Sequence, residues 1–251
     1  MRLALHAEFT KLRTAPGTGG LLLAILIATV AVSALAGTGT SCVSGVCELD
    51  AVKHSLTGVQ IGQSFVAVFA IAAIGGEYGN GMIHTTLTAV PRRLTVVAAK
   101  VVTTLAVIAV VAVAAVPAAL LAGRAGLARQ GHEIALSDFD TQRAVLGSIA
   151  YLLLIGVLSI GIALVARNAT AAIGITLGLL YLFPLLAATV TNESLVRVLY
   201  RMSPMNAGLS IQATTGLADL MIAPLAGLGV LAAWAVAALV GGTLSLRFRD
   251  A

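Results

Sequence analysis

Few residues in this chain have the type and spacing to do chemistry. His132, Glu133, Asp138 and Asp140 place an imidazole and carboxylates in one polar stretch. Metal ligation uses such groups, but this spacing matches no recognised ligand set, so the reading is a solvated loop and no metal site. Cys42 and Cys47 are separated by a short segment that holds Ser44 and Gly45. A flexible loop of that length lets two thiols meet, so a disulfide is expected in an oxidising compartment; two free thiols are the alternative. Gln60, Gln63 and Ser64 bring amides and a hydroxyl into an otherwise apolar run. They either line a polar cavity on a substrate path or hydrogen-bond between helices.

A further polar signal runs from Gly76 to Arg93, between two long apolar runs. Asn80 can cap a helix by accepting from its first free amides. Ile83, Leu87 and Val90 then form one apolar stripe, and Pro91 stops the helix. Arg92 and Arg93 follow at once, which suits a membrane face rich in anionic lipid. The expectation is a short surface helix with one apolar edge turned toward a partner or toward lipid.

Catalysis has no foothold. HExxH, GxSxG and the P-loop pattern GxxxxGK[ST] are all missing from the sequence. A metalloprotease, a serine hydrolase of that type and a P-loop ATPase need them, so no catalytic residue and no cofactor are assigned. Nor does any Asp, Glu, Lys, Arg or His fall in the central part of an apolar run. Ion-driven carriers need such groups, buried and paired.

The elements that hold these residues follow from composition. The chain has 251 residues, is 59% hydrophobic and 10% charged, and has a mean hydropathy of +1.03. That class is a polytopic all-α membrane protein, since the apolar runs are continuous and do not alternate as barrel strands would. Residues 1–251 read as a single transmembrane domain. The net charge of +5 comes from residues flanking the apolar runs, so it is no nucleic-acid signal.

Residues 1–14 place Leu5, Phe9 and Leu12 at helical spacing, with Glu8, Lys11 and Arg13 on the remaining surface. This predicts an interfacial amphipathic helix. Six spans are then expected: Gly19–Ala36, Thr57–Gly76, Leu94–Leu121, Ala144–Ala166, Ala169–Val190 and Ile222–Leu246. Ala34-Leu35-Ala36 has the form of a signal-peptidase site, but the long polar start and the five later spans favour an uncleaved first span. Gly58 with Gly62, and Gly174 with Gly178, stand at GxxxG spacing, which suits close helix packing or is coincidence among 26 glycines. Between spans five and six, Leu195, Val198, Leu199 and Met202 form one face of a short helix, lying on the outer surface or dipping part-way in.

Orientation comes from the basic residues. One side holds Arg2, Lys11, Arg13, Arg92, Arg93, Lys100, Arg167, Arg247 and Arg249; the other holds Lys53, Arg124, Arg129, Arg143, Arg197 and Arg201. The larger set marks the cytoplasmic side, so both termini are expected inside.

This order resembles the membrane subunit of a type-2 ABC exporter. The likeness rests on the N-terminal helix with Glu8 and Lys11, six spans, and the loop from Glu77 and Gly81 through Thr85-Thr86-Leu87 to Pro91-Arg92. The tight turn at Arg167-Asn168 and the Ser203-Pro204-Met205-Asn206-Ala207 segment also fit. The resemblance implies a permease that dimerises, or pairs with a sister permease, in the bacterial cytoplasmic membrane. Two copies of a separate ATPase subunit would supply energy for moving a drug, peptide or lipid. Residues 77–93 would be the cytoplasmic coupling loop, with Gly81–Ala89 as coupling helix. Glu77, Gly81, Ile83, Leu87, Val90 and Arg92 would then face the ATPase, Glu77 pairing with Arg92 or Arg13. The rival readings are a non-transporting anchor or regulatory scaffold, and an ion-coupled secondary carrier.

Overall fold

Hydrocarbon offers no partner for a free N–H or C=O, so each long apolar run must satisfy its backbone internally, as a helix. The computed structural model describes residues 2–15, 17–38, 49–79, 93–129 and 134–248, and among these it holds helices and no strand. In chain order they are α1 (Arg2–Thr14), α2 (Thr18–Thr38), α3 (Ala51–Ser55), α4 (Gly58–Gly79), α5 (Arg93–Ala128), α6 (Phe139–Ala166) and α7 (Ala169–Thr189). Then come α8 (Glu193–Met202), α9 (Pro204–Leu209), a 3-10 turn at Ser210–Gln212 and α10 (Pro224–Phe248). Six are long and apolar enough to cross a membrane: α2, α4, α5, α6, α7 and α10. The chain is the expected all-α polytopic membrane protein.

α4 and α6 form the centre, burying Val59, Val66 and Phe69 on one and Leu152, Ile155 and Leu158 on the other. α2 packs along α4 and α5, α10 along α6, and α7 against both central helices. Lipid tails are as apolar as leucine, so such contacts depend on close fit. Gly58 and Gly62 supply it: a Cβ on either would strike Thr29 of α2, and the Gly58 N–H donates to Ser33 Oγ at 3.1 Å. Gly174 and Gly178 share the spacing but face open space on α7.

Several boundaries differ from expectation. α5 continues to Ala128 and α6 begins at Phe139, so both helices run past the span ends expected at Leu121 and Ala144. Gly123 and Gly126 do not break the helix; they let other backbones reach it. A Cβ on Gly123 would lie 2.7 Å from Ser55 Cα, and one on Gly126 would lie 2.6 Å from the Gly37 carbonyl carbon. At its length α5 spans about 54 Å, well beyond a hydrocarbon core of roughly 30 Å. Between the first two expected spans the structure adds α3, whose first turn is capped by Asp50 Oδ1 accepting from Lys53 N at 3.0 Å.

α1 also turns differently from its apolar pattern. Phe9 is 52% exposed, while Glu8 and Leu12 are buried. Glu8 was expected on the remaining, polar surface of this helix. A counter-ion on α5, described below, reverses the preference, because a paired carboxylate tolerates burial that a lone one does not.

Candidate functional site

The central polar feature is a belt that joins four helices. Gln63 on α4 is fully buried, and an amide there is costly unless every donor and acceptor is used. All are used. Its Oε1 accepts from the Tyr151 hydroxyl of α6. Its Nε2 donates to Tyr181 Oη of α7 at 3.3 Å and to Met205 Sδ of α9 at 3.0 Å. Tyr181 in turn donates to the Gln60 carbonyl at 2.8 Å, leaving its oxygen to accept from Ser64 Oγ at 2.6 Å. Of the residues anticipated for a substrate path, Gln63 and Ser64 thus join the belt through side-chain bonds to Tyr181, whereas Gln60 takes part through its backbone.

Met205 reaches the belt because the chain from Ser203 to Ala213 is buried among the spans. Ser203 caps α9 by accepting from Asn206 N at 3.1 Å, and Pro204 occupies the first helical position, where its missing N–H costs nothing. Close passage is possible because Gly208 lies on the Tyr151 ring and Gly227 of α10 lies on the Ala207 carbonyl. Gln212 Nε2 then donates to Ser148 Oγ on α6 at 3.1 Å.

The segment leaves the bundle through a clasp. Asp50 accepts from the backbone N–H of Thr214 and of Thr215, the latter at 3.1 Å, and from the Thr214 hydroxyl at 2.8 Å. Partial burial pushes the Asp50 carboxyl pKa upward, but the donors from Lys53, Thr214 and Thr215 outweigh it and hold the group below its usual value. Arg143 adds a second tie, donating to the Ala213 carbonyl while paired with Asp140 at 2.6 Å. Asp140 is therefore engaged within its own helix, and Asp138 is the residue preceding α6.

At the end of the bundle that carries α1, Lys100 of α5 meets Glu8 Oε2 at 2.8 Å, and Lys11 meets Glu8 Oε1 at 3.0 Å. Lys100 is 4% exposed, two turns from the start of α5. Glu77 falls in the last turn of α4. Gly81, Ile83, Leu87, Val90 and Arg92 lie outside the described residues, as do Asn80, Cys42, Cys47, His132 and Glu133. Among the described residues no cluster of His, Cys, Asp and Glu is placed to hold a metal ion.

The sequence reading missed Tyr151, Tyr181, Met205, Asp50 and the Glu8–Lys100 pair. A signal existed for the tyrosines: of the 4 in the chain, these two stand in the middle of apolar runs, where a phenol needs a partner such as Gln63. No comparable signal marks Asp50, which sits in a polar stretch, whereas Lys100 lies near one end of an apolar run and was read there only as an orientation residue.

Comparison with curated proteins returns no match for this chain. The family model described as ABC-2 family transporter protein matches residues 4–185, which takes in α1 through most of α7, including Gln63, Tyr151 and Tyr181 of the belt. On that match the chain belongs to the ABC-2 transporter family, as a multi-pass membrane permease.

Proposed function

We propose that this permease exports a hydrophobic or amphipathic molecule, of drug, peptide or lipid type, with energy from a separate ATPase subunit. The observation that carries the reading is the neutrality of the belt. An amide, phenols and hydroxyls can hydrogen-bond an amphipathic molecule, but they offer no carboxylate, imidazole or amine to exchange an ion. Energy must then enter from outside the spans. Gln60, Gln63 and Ser64 belong in this reading to the substrate path, with Tyr151 and Tyr181 closing it in the present conformation.

The proposed entry point is the loop over residues 77–93, with Ile83, Leu87 and Val90 seated on the ATPase and Glu77, Gly81 and Arg92 flanking them. Its place in the chain supports this: it joins α4, which holds Gln63, to α5, which holds Lys100. Tilting of that loop would pull on the belt and, through Glu8, on α1. The open glycine face of α7 at Gly174 and Gly178 supports a second copy or a sister permease packing there. The basic-residue bias supports cytoplasmic termini in a bacterial membrane.

The test is capture of the partner ATPase by wild type, by Leu87→Asp and by Ala218→Asp, a control at an exposed site near α10. A charge desolvated at the centre of a contact loses 2 kcal/mol or more, or roughly thirtyfold in affinity. Loss with Leu87→Asp alone supports coupling through this loop. Full binding and full transport in Leu87→Asp reject it. Transport that survives without the ATPase but collapses with the proton gradient would favour an ion-coupled carrier instead.

A further inference from the structure

α8 is a helix with three distinct faces. Val196, Leu199 and Tyr200 are half-buried against the protein, where α8 packs on α7 and also touches α10. Leu195, Val198 and Met202 point away from it and are 54%, 56% and 55% exposed. Glu193, Ser194, Arg197 and Arg201 form a third face, also exposed. At helical spacing these are three separate arcs of one cylinder. A helix standing wholly in water has no use for the second arc, and a helix within the hydrocarbon has no use for the third. A helix lying where bundle, bilayer and water meet needs all three.

Its anchors hold that placement. Asn192 caps the start by accepting from Ser194 N and Leu195 N. At the other end Trp234 Nε1 donates to the Met202 carbonyl at 3.0 Å, and Arg201 Nε donates to the Met221 carbonyl at 2.8 Å. The second bond brings the exposed Met221 beside α8, ahead of Leu225 on α10, which is 71% exposed. On its N-terminal side the chain arrives from Leu185 and Leu186, also exposed on α7. The apolar arc of α8 thus continues the outward surface of two spans. Among the described residues neither Arg197 nor Arg201 makes an ion pair.

We propose that α8 is a membrane-surface helix on the side opposite α1, with Leu195, Val198 and Met202 in the acyl region and Arg197 and Arg201 at lipid phosphates. Long arginine side chains reach from an apolar stripe to the headgroup level, and anionic lipid attracts them. The placement requires only that the chain spans the membrane and is independent of how transport is powered.

The experiment places spin labels, one at a time, at Glu193, Leu195, Val196, Val198 and Met202 in a Cys42→Ser, Cys47→Ser background. The protein is reconstituted in phosphatidylcholine vesicles with and without phosphatidylglycerol. Collision with oxygen, which partitions into acyl chains, is compared with collision with a water-soluble nickel chelate. The oxygen-to-nickel ratio should be severalfold higher at Leu195, Val198 and Met202 than at Glu193, with Val196 shielded from both. Nickel access at the three apolar positions equal to that at Glu193 would put the helix in water and overturn the proposal. Shielding from both reagents there would assign the face to a protein partner and overturn it equally. Anionic lipid should deepen the Val198 label in wild type and in Arg197→Lys but not in Arg197→Gln; an identical response in all three removes the phosphate role. A photo-crosslinking residue at Val198 in the native-cysteine chain provides a second reading: lipid adducts support the placement, and protein adducts alone refute it.

Discussion

Replacing Tyr151 with phenylalanine removes one hydroxyl from the centre of the bundle and leaves the ring that packs on Gly208. The loss orphans Gln63 Oε1, which sits in a site with no solvent exposure. The amide cannot turn to find another donor, because its Nε2 is already held by Tyr181 and Met205. In soluble proteins an unpaired buried acceptor costs about 1–3 kcal/mol. In bilayers the reference state also finds partners, and interhelical bonds average about 0.6 with a maximum near 1.7 kcal/mol. A trapped acceptor belongs at the upper end, so Tyr151→Phe should cost about 1.5 kcal/mol. Gln63→Leu should cost about 2 kcal/mol, since it strands the Tyr151 hydroxyl and gives up two donor contacts. Removing both partners together leaves neither group stranded, so the double variant should be more stable than the sum of the singles by about 1 kcal/mol. Reversible unfolding in mixed detergent micelles, run as a double-mutant cycle, measures all three. Additivity within about 0.3 kcal/mol, or a Tyr151→Phe variant as stable as wild type, would refute the belt as a coupled unit.

Two further outcomes follow from the packing and from the clasp. Gly126→Ala should destabilise the bundle by about 1–3 kcal/mol, because its Cβ meets the Gly37 backbone, whereas Gly174→Ala should leave the monomer unchanged in the same assay. Asp50 has a folded pKa held below the ordinary value of 3.8, so its stabilisation is present above that value and is lost as pH falls through the folded pKa. Asp50→Asn should therefore lower thermal stability at neutral pH and flatten its decline below about pH 4, and an unchanged acid limb would show that the clasp contributes nothing.

How much of this was legible beforehand depends on the range of the forces involved. Hydrocarbon forces any apolar run of span length into a helix, whatever it packs against, so the six crossings and the all-α class follow from local composition alone. The turn at Arg167-Asn168 is equally local: Arg167 adopts the left-handed conformation at φ 53° and Asn168 caps α7 by accepting from Ala171 N. Glycine is different, because its meaning depends on what approaches it. Gly123 and Gly126 fall beyond the span end expected at Leu121, yet they lie in α5 where Ser55 and Gly37 pack closely on it, while Gly58/Gly62 and Gly174/Gly178 share a spacing but only the first pair meets a neighbour.

The polar groups depended most on tertiary structure. Gln63 announced that it needed partners, but Tyr151, Tyr181 and Met205 come from helices 88, 118 and 142 residues away in sequence. Glu8 was legible as a surface charge until Lys100, 92 residues on, supplied the counter-ion that draws it inward. Local pattern states which side chains demand satisfaction, since that is a property of the group and its immediate solvent. Which partner satisfies them is settled only when the helices pack, because hydrogen bonds and ion pairs act over a few ångströms that sequence separation does not measure.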